Sequence, residues 1–449
     1  MTSHFVTRTV PFRFRGVDFS FALSQGLFSS AEVDPGTRFL LKVFSQILDE
    51  DIQAGNPLPC RVLDAGCGTG VIGVCAASAI RAAGGDVCVR AQDRDELARL
   101  FTAFNARKNG IPVSALEAFT EPLLAAGQEI AGGGDSGWDL ILTNIPAKTG
   151  RAVLDDFVSR SAGLLNRRGR VMMVAVRTLA DFFRERIAGC ALLEREEAGA
   201  EHHVFVYRQK TPGDDFSVAP ASPVKTGGDF IADYPFYRRD SVDCGIEEIP
   251  LRIETVHGAP DFDSPDGTAL AAAKLTRRLG AGKLRAALDG EAAILVHEPG
   301  QGFFPCFLRE FLRRECGFTR LPPTVLSGRN ILALEASRIN YGEAALVPAA
   351  DLRLGGDALL MAAGRRFSLA VVFPELLPQS SLPKEACQFA ALWDAAAPLM
   401  TAGGIFIAGF SSTDAERFDR KKPPAFTRMG DIKRKGFRAL AYCKAGAGE

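Results

Sequence analysis

The stretch VLDAGCGTGVIG, residues 62–73, decides the fold. Arg61–Asp64 reads as a buried strand that ends at alternating glycines. Val71–Ile80, apolar and rich in alanine, reads as the packed helix that follows. A strand that turns through glycines into a helix opens a βαβ unit. Working outward, Val87–Gln92 is the next strand, Glu96–Asn105 has helical spacing, and Leu140–Thr143 and Val171–Val176 are two further strands. Strands alternating with helices predict a mostly parallel sheet covered on both faces.

Ligands of open α/β sheets bind at the carboxyl ends of the strands. Gly66, Gly68 and Gly70 stand at such an end, and without Cβ atoms they let the backbone turn tightly and approach a ligand. Asp64 is placed to receive hydrogen bonds from a cationic amino group, directly or through water. Asp93 follows the second strand, where a carboxylate can accept both hydroxyls of a ribose. Gly68-Thr-Gly70-Val-Ile-Gly73 also satisfies the dinucleotide pattern GxGxxG, which alone is a weak signal. Two features tilt against that reading. An acidic residue stands two before the first glycine, and a second motif, Asn144-Ile145-Pro146-Ala147, lies at the end of a later strand.

GLFSSAEVDPGTRFLL at 26–41, VLDAGCGTGVIG at 62–73, Asp93 and DLILTNIPAKTG at 139–150 together resemble the "small domain" class I methyltransferases. These include bacterial enzymes that methylate the exocyclic N2 of guanine in ribosomal RNA and carry two tandem methyltransferase-like domains, one of them degenerate. The resemblance covers roughly residues 10–208. It implies S-adenosylmethionine as cofactor, with Asp64, Gly66, Gly68 and Gly70 at its methionine portion and Asp93 at its ribose. It implies an adenine contact near Glu117–Phe119, centred on Ala118, and a segment with Phe28, Ser29 and Asp34 that helps close over the cofactor. The family motif is Asn-Pro-Pro followed by an aromatic. The asparagine and a neighbouring carbonyl accept hydrogen bonds from a planar NH2 group, and proline stiffens the loop. Here Asn144 and Pro146 match, and Ile145 replaces the first proline, leaving its backbone carbonyl. Ala147 stands where an aromatic stacks on a base, a contact of ~1–3 kcal/mol.

Residues 209–230, QKTPGDDFSVAPASPVKTGGDF, read as a linker between domains at 1–208 and 231–449. The second half echoes the first in order. DPGTRFLL at 34–41 pairs with PDGTALAA at 265–272, and VLDAGCGTG at 62–70 with ILVHEPGQG at 294–302. RAQDRDELA at 90–98 pairs with LALEASRIN at 332–340, DLILTNIP at 139–146 with SLAVVFPE at 368–375, and RRGRVMMVAV at 167–176 with AGGIFIAGFS at 402–411. The expected architecture is two tandem Rossmann-like α/β domains with central, mostly parallel sheets, the second degenerate. On this pairing Val296 replaces Asp64, Glu298 replaces Gly66, Phe373 falls at or beside Asn144, and Glu335 matches Asp93. Acceptors are lost while apolar strands survive, as in a non-catalytic domain kept for packing or recognition.

Formal net charge is zero, so nucleic acid or membrane contact needs a local patch. One cluster runs Arg417, Arg420, Lys421, Lys422, Arg428, Lys433, Arg434, Lys435 and Arg438, with Phe418, Phe426 and Phe437 interleaved. It reads equally as an RNA-tracking surface or as a solvated loop and edge strand. The ten cysteines form no CxxC pair, and the five histidines include the adjacent His202 and His203, which point to opposite faces of a strand. Reduced thiols and no metal site are expected, and His297 is expected in the core. No signal segment and no apolar run of ~20 residues are visible. The expectation is a cytoplasmic N-methyltransferase with an RNA substrate, its oligomeric state unspecified. Two alternatives stand beside it: transfer to a small molecule or a protein side-chain amide, and a non-catalytic cofactor-binding scaffold or RNA-binding protein.

Overall fold

The strand that ends at the glycine turn is the middle of a seven-stranded sheet. The computed structural model describes residues 3–28, 30–125, 137–210, 230–381 and 387–446. The chain divides into two compact units, Met1–Gly228 with Leu377–Leu382, and Asp229–Leu376 with Pro383–Glu449. Most of the expected linker, from 211 to 229, lies outside the described residues. Its first residue, Gln209, closes a strand, and its last, Phe230, opens a short helix.

The first unit begins with a hairpin, β1 (Arg8–Phe14) and β2 (Val17–Leu23), then α1 (Pro35–Ala54). The alternation follows: β3 (Arg61–Ala65), α2 (Val71–Ala82), β4 (Cys88–Asp93), α3 (Glu96–Lys108), β5 (Leu116–Thr120), β6 (Trp138–Asn144), α4 (Arg151–Gly163) and β7 (Leu165–Val176). It closes with α5 (Ala180–Cys190) and the pair β8 (Ala191–Ala198) and β9 (His202–Gln209). Every strand and helix read from the sequence is present, most of them longer by a few residues. The sheet order is β5-β4-β3-β6-β7-β9-β8, with β9 antiparallel to β7 and to β8.

Alternation along each strand sends side chains into two cores. Val62, Met172 and Val174 join α1 and α2 on one face, while Leu63, Val171 and Met173 join α4 and α5 on the other. Helix α1 buries Leu40, Leu41, Phe44, Ile47 and Leu48 along one stripe, each worth ~1.5–3 kcal/mol. Its start is set by Asp34, whose carboxylate accepts from Thr37 N, and its end by Gly55 at φ 68°.

The second unit repeats this plan. After α6 (Phe230–Asp233) come the hairpin β10 (Arg238–Ile246) and β11 (Ile249–Val256), α7 (Gly267–Leu279) and α8 (Ala281–Ala287). Then follow β12 (Ile294–His297), α9 (Phe303–Arg314), β13 (Thr324–Gly328), α10 (Ile331–Tyr341), β14 (Ala345–Pro348), α11 (Leu352–Ala363) and β15 (Phe367–Val372). The unit ends with α12 (Gln388–Leu399), β16 (Met400–Ser411), α13 (Ser412–Asp419), β17 (Phe426–Arg434) and β18 (Phe437–Lys444). Its sheet order, β14-β13-β12-β15-β16-β18-β17, maps strand for strand onto the first. The fold is therefore two tandem Rossmann-like units with mostly parallel sheets.

One buried amide is duplicated with the fold. Asn105 Oδ1 accepts from Ala22 N at 2.8 Å, and its Nδ2 donates to Ala22 O at 3.0 Å and Thr69 O at 2.8 Å. One helical turn later, Asn109 holds Ser20 N and O in the same way. Four helical residues rise ~6 Å and two strand residues ~6.7 Å, so Asn105 on α3 and Asn109 capping its end can both serve the free edge of β2. In the second unit Asn340 takes Glu254 N at 2.8 Å and donates to Glu254 O and Gln301 O, both at 2.8 Å.

Strand register corrects two of the sequence pairings. Ala65 lies opposite Gln92 and His297 opposite Ser327, so the counterpart of Asp93 is Gly328, not Glu335, which lies inside α10. The capping residues Asp34 and Asp266 correspond, which shifts that echo by one position. The other three pairings agree with the register.

The basic cluster reads two ways in the sequence, and the structure places most of its aromatic part in the core. Phe418 and Phe426 are fully buried, and only Phe437 is partly exposed. Arg417, Arg428, Arg434 and Arg438 pair with nearby carboxylates. His297 is buried against Ser327, and burial lowers its pKa to about 4. All ten cysteines are free thiols. Among the described residues no group fit to hold a metal occurs, and no helix is long and apolar enough to cross a membrane.

Candidate functional site

The turn between β3 and α2 is built on backbone hydrogen bonds. Gly66 N and Cys67 N both donate to Gln92 O at 2.9 Å, and Gly70 N donates to Cys67 O at 2.8 Å. Gly66, Gly68 and Gly70 all have positive φ, 80°, 54° and 83°. Their surroundings differ. A Cβ on Gly68 would meet nothing within 4 Å, and one on Gly66 only Leu123 Cδ2 at 3.9 Å. A Cβ on Gly70 would come within 2.9 Å of Thr102 Cα. Gly66 and Gly68 therefore border open space, while Gly70 lets α3 pack against the turn. Gly68→Ala is expected to cost ~1–2 kcal/mol of stability through its φ alone. Cofactor affinity should fall as well, and a thermal melt beside a calorimetric titration separates the two effects.

Beneath this turn lies Asp64, fully buried. Its Oδ2 accepts from Gly73 N at 2.8 Å, and its Oδ1 has no hydrogen-bond partner among the described residues. Burial pushes the carboxyl up to about 7 against the Gly73 hydrogen bond, and the Asp93 charge adds to the push. Asp93 closes β4. Its Oδ2 accepts from Gly68 N and its Oδ1 from Asp95 N, both at 3.0 Å. Burial raises its pKa too, with the Asp95 charge adding, against those hydrogen bonds and Arg94. The sequence reading passed over Gly73 as a site residue. A Cβ there would meet Asp64 Oδ2 at 2.9 Å, and the third glycine of GxGxxG was its visible signal.

Asn144 is the last residue of β6. Its Nδ2 donates to Asp34 Oδ2 at 2.7 Å and to Thr37 Oγ1 at 3.0 Å. The capping motif before α1 and the strand-end asparagine thus meet. Ile145 turns its side chain into the core, and Pro146 is exposed. The Pro146 carbonyl accepts from Thr149 N at 3.1 Å and Thr149 Oγ1 at 2.6 Å, which ties the loop down. Ala147 is exposed. Ala118 lies inside β5, buried against the α2 side of the sheet and two residues short of the strand end. Phe28 is 64% exposed, and Ser29 lies outside the described residues.

The second unit keeps the turn, crowds it with carboxylates, and leaves beside it a cavity of about 360 Å³ lined by Asp261, Glu298, Gly300 and Phe373. Glu298, Gly300 and Gly302 repeat the left-handed backbone of Gly66, Gly68 and Gly70, with φ of 56°, 57° and 99°. Where the space over Gly68 is open, a Cβ on Gly300 would lie 1.8 Å from Asp261 Oδ2. Glu298 Oε1 accepts from Arg329 N at 2.8 Å, and a Cβ on Gly328 would lie 2.8 Å from Glu298 Oε2. The carboxylate that Asp93 supplies from the strand end is here supplied from the turn. Phe373 stands at the Asn144 position, its ring 5.2 Å from that of Phe304.

Comparison with known proteins matches residues 18–196 to the methyltransferase small domain family. The chain is 31% identical over 168 residues to the uncharacterized protein YbxB of Bacillus subtilis (strain 168), covering 37% of this chain and 73% of that protein. Its structure is similar to the T. thermophilus 16S rRNA N2 G1207 methyltransferase, RsmC, solved with AdoMet and guanosine. That match covers 99% of this chain and 100% of the other at a TM-score of 0.57. At 15% identity it is a likeness of fold. The chain belongs to the methyltransferase small domain family and is an S-adenosylmethionine-dependent methyltransferase.

Proposed function

We propose that the first unit transfers a methyl group to an amine nitrogen of structured RNA, with N2 of a guanine in ribosomal RNA as the acceptor. One observation carries the placement of the chemistry. An unpartnered, buried carboxylate oxygen of Asp64 lies under a glycine turn open to a ligand, and Asn144 closes the adjacent strand. These residues fit a cationic nucleoside. When bound, S-adenosylmethionine supplies an electrophilic methyl on a sulfonium. Asp64 offsets the positive charge of the methionine portion, Gly66 and Gly68 let that portion lie on the backbone, and Asp93 accepts from the ribose. Phe28 and the β5 segment around Ala118 cover the nucleoside. Asn144, with the carbonyl of Ile145, accepts from the acceptor NH2, and Pro146 holds the loop in place. The acceptor nitrogen would gain the methyl and give up one N–H proton to water, the spent cofactor leaving as a neutral thioether; the chain provides orientation, and no covalent enzyme intermediate is required.

The N2 guanine acceptor is supported by the two-unit fold shared with the T. thermophilus enzyme. A division at 1–208 and 231–449 around a linker at 209–230, and a cytoplasmic place of action on ribosomal RNA, belong to the same proposal. A second reading rests on Ala147: an exposed alanine offers no ring for a base to stack on, which favours a small molecule or a side-chain amide.

Incubating the protein with methyl-tritiated cofactor and, separately, ribosomal RNA, protein extract and metabolites distinguishes them. Label in RNA recovered as N2-methylguanine supports the proposal. Asn144→Ala is then expected to lower kcat about a hundredfold, since the acceptor nitrogen loses its anchor. Label confined to protein or metabolites would overturn the RNA assignment.

A further inference from the structure

We propose that Asp34 is a positioning residue that fixes which end of the Asn144 amide faces the acceptor, so that the site takes N–H donors. The inference rests on Asn144 being the acceptor anchor. An asparagine amide carries two donor hydrogens on one side and an acceptor oxygen on the other. Presented the wrong way round, Asn144 would repel the amine it is meant to hold.

The structure leaves only one orientation. Nδ2 donates to Asp34 Oδ2 at 2.7 Å and to Thr37 Oγ1 at 3.0 Å, which uses both hydrogens. A carboxylate offers acceptors only, so the partner of Asp34 must be the nitrogen. Asn144 Oδ1 receives no hydrogen bond from any described residue and is not among the buried unpartnered atoms, so it is the end presented outward.

Asp34 is itself held. The same Oδ2 accepts from Thr37 N at 3.0 Å at the first turn of α1, where the helix dipole favours a negative charge. Gly36 makes the approach possible. A Cβ there would lie 2.9 Å from Asp34 Oδ2 and 3.1 Å from the His202 ring. One carboxylate thus both starts the helix and aims the asparagine, across 110 residues of sequence.

Asp34→Ser separates the two roles. Serine still caps a helix but is too short to reach Asn144, whereas Asp34→Asn keeps an acceptor oxygen at full length. In protein labelled with 15N-asparagine, the Asn144 side-chain NH2 is identified by its loss in Asn144→Ala. It should show two protected, well-separated protons in wild type and in Asp34→Asn, and fast exchange in Asp34→Ser. On ribosomal RNA, Asp34→Ser is expected to lower kcat about tenfold, a loss larger than any accompanying change in cofactor Kd. Asp34→Asn should recover most of that loss. Placed on Asn144→Ala, Asp34→Ser should have no further effect.

An unaltered Asn144 NH2 signal in Asp34→Ser, or a further loss of activity on Asn144→Ala, would overturn the inference. Wild-type protein that methylates no RNA would instead overturn the proposed function, while the amide signal still decides the role of Asp34.

Discussion

Asn105→Asp is expected to destabilise the first unit by about 3–5 kcal/mol, roughly a thousandfold in the folding equilibrium. The substitution is nearly isosteric, so packing is kept. What changes is hydrogen-bond polarity. Asn105 donates to Ala22 O and Thr69 O, and its oxygen accepts from Ala22 N. A carboxylate keeps the last contact and loses both donors. Two carbonyl oxygens then face a carboxylate oxygen about 3 Å away, in a position with no access to water. Proton uptake relieves part of this by restoring one donor, so the variant should lose less stability at pH 5 than at pH 8. Asn105→Ala removes all three hydrogen bonds but buries no charge, and its cost should be smaller. Denaturant titration of the three proteins at both pH values tests the ordering. Asn105→Asp within 1 kcal/mol of wild type at pH 8 would mean that the hairpin is not held to the glycine turn by this amide. The same change at Asn340 should act on the second unit, whose hairpin is held by the same three contacts.

Much of this was legible in the residues. Apolar runs of strand length separated by helical spacing identify the alternating sheet in both halves, because burial on two faces leaves a continuous apolar strand. The glycine turn was legible because only glycine occupies left-handed backbone at three alternating positions at no steric cost. The Asp93 counterpart was not. The separation from turn to strand end is 27 residues from Gly66 to Asp93 and 30 from Glu298 to Gly328, so the copies drift out of step. Pairing by acidic identity then misleads, because a carboxylate at that strand end is what the second copy gave up and replaced from the turn. The hairpins escaped notice because β1 and β10 are largely exposed. The meeting of Asp34 with Asn144 was invisible for another reason. Each has a complete local explanation, one as a helix cap and one as a strand-end residue, and only the folded chain shows that Asn144 donates to the capping carboxylate oxygen. The basic cluster stays open between two readings in the sequence because its cations alternate along strands and a short helix with phenylalanines that only the folded chain shows to be core, and several of its arginines are paired at home.

Asp64→Asn is expected to make the cofactor-free protein more stable and the cofactor-binding site less effective. The Asp64 carboxyl stands at about 7 in the folded chain against an ordinary 3.8, mainly because burial opposes its ionisation. A group raised in this way contributes its full stability below the unfolded value, and that contribution is lost as pH rises through the folded value. The loss from pH 4 to pH 8 amounts to about 4 kcal/mol. Asparagine never ionises. It can keep the Gly73 hydrogen bond through its oxygen, so the variant escapes this loss. Without cofactor, the variant should exceed wild type in stability at pH 8 and match it near pH 4. Binding runs the other way. A cationic ligand favours the ionised form, so wild-type affinity should strengthen about tenfold from pH 6 to pH 8, as the ionised fraction of a group titrating near 7 rises. The variant should bind weakly and with little dependence on pH. On the proposed function, the destabilising charge would be a working part, neutralised when a sulfonium nucleoside binds. Calorimetric titrations at three pH values with paired thermal melts decide the matter. A wild-type affinity that stays level across that range, with a variant no more stable at pH 8, would mean that Asp64 is not the counter-charge.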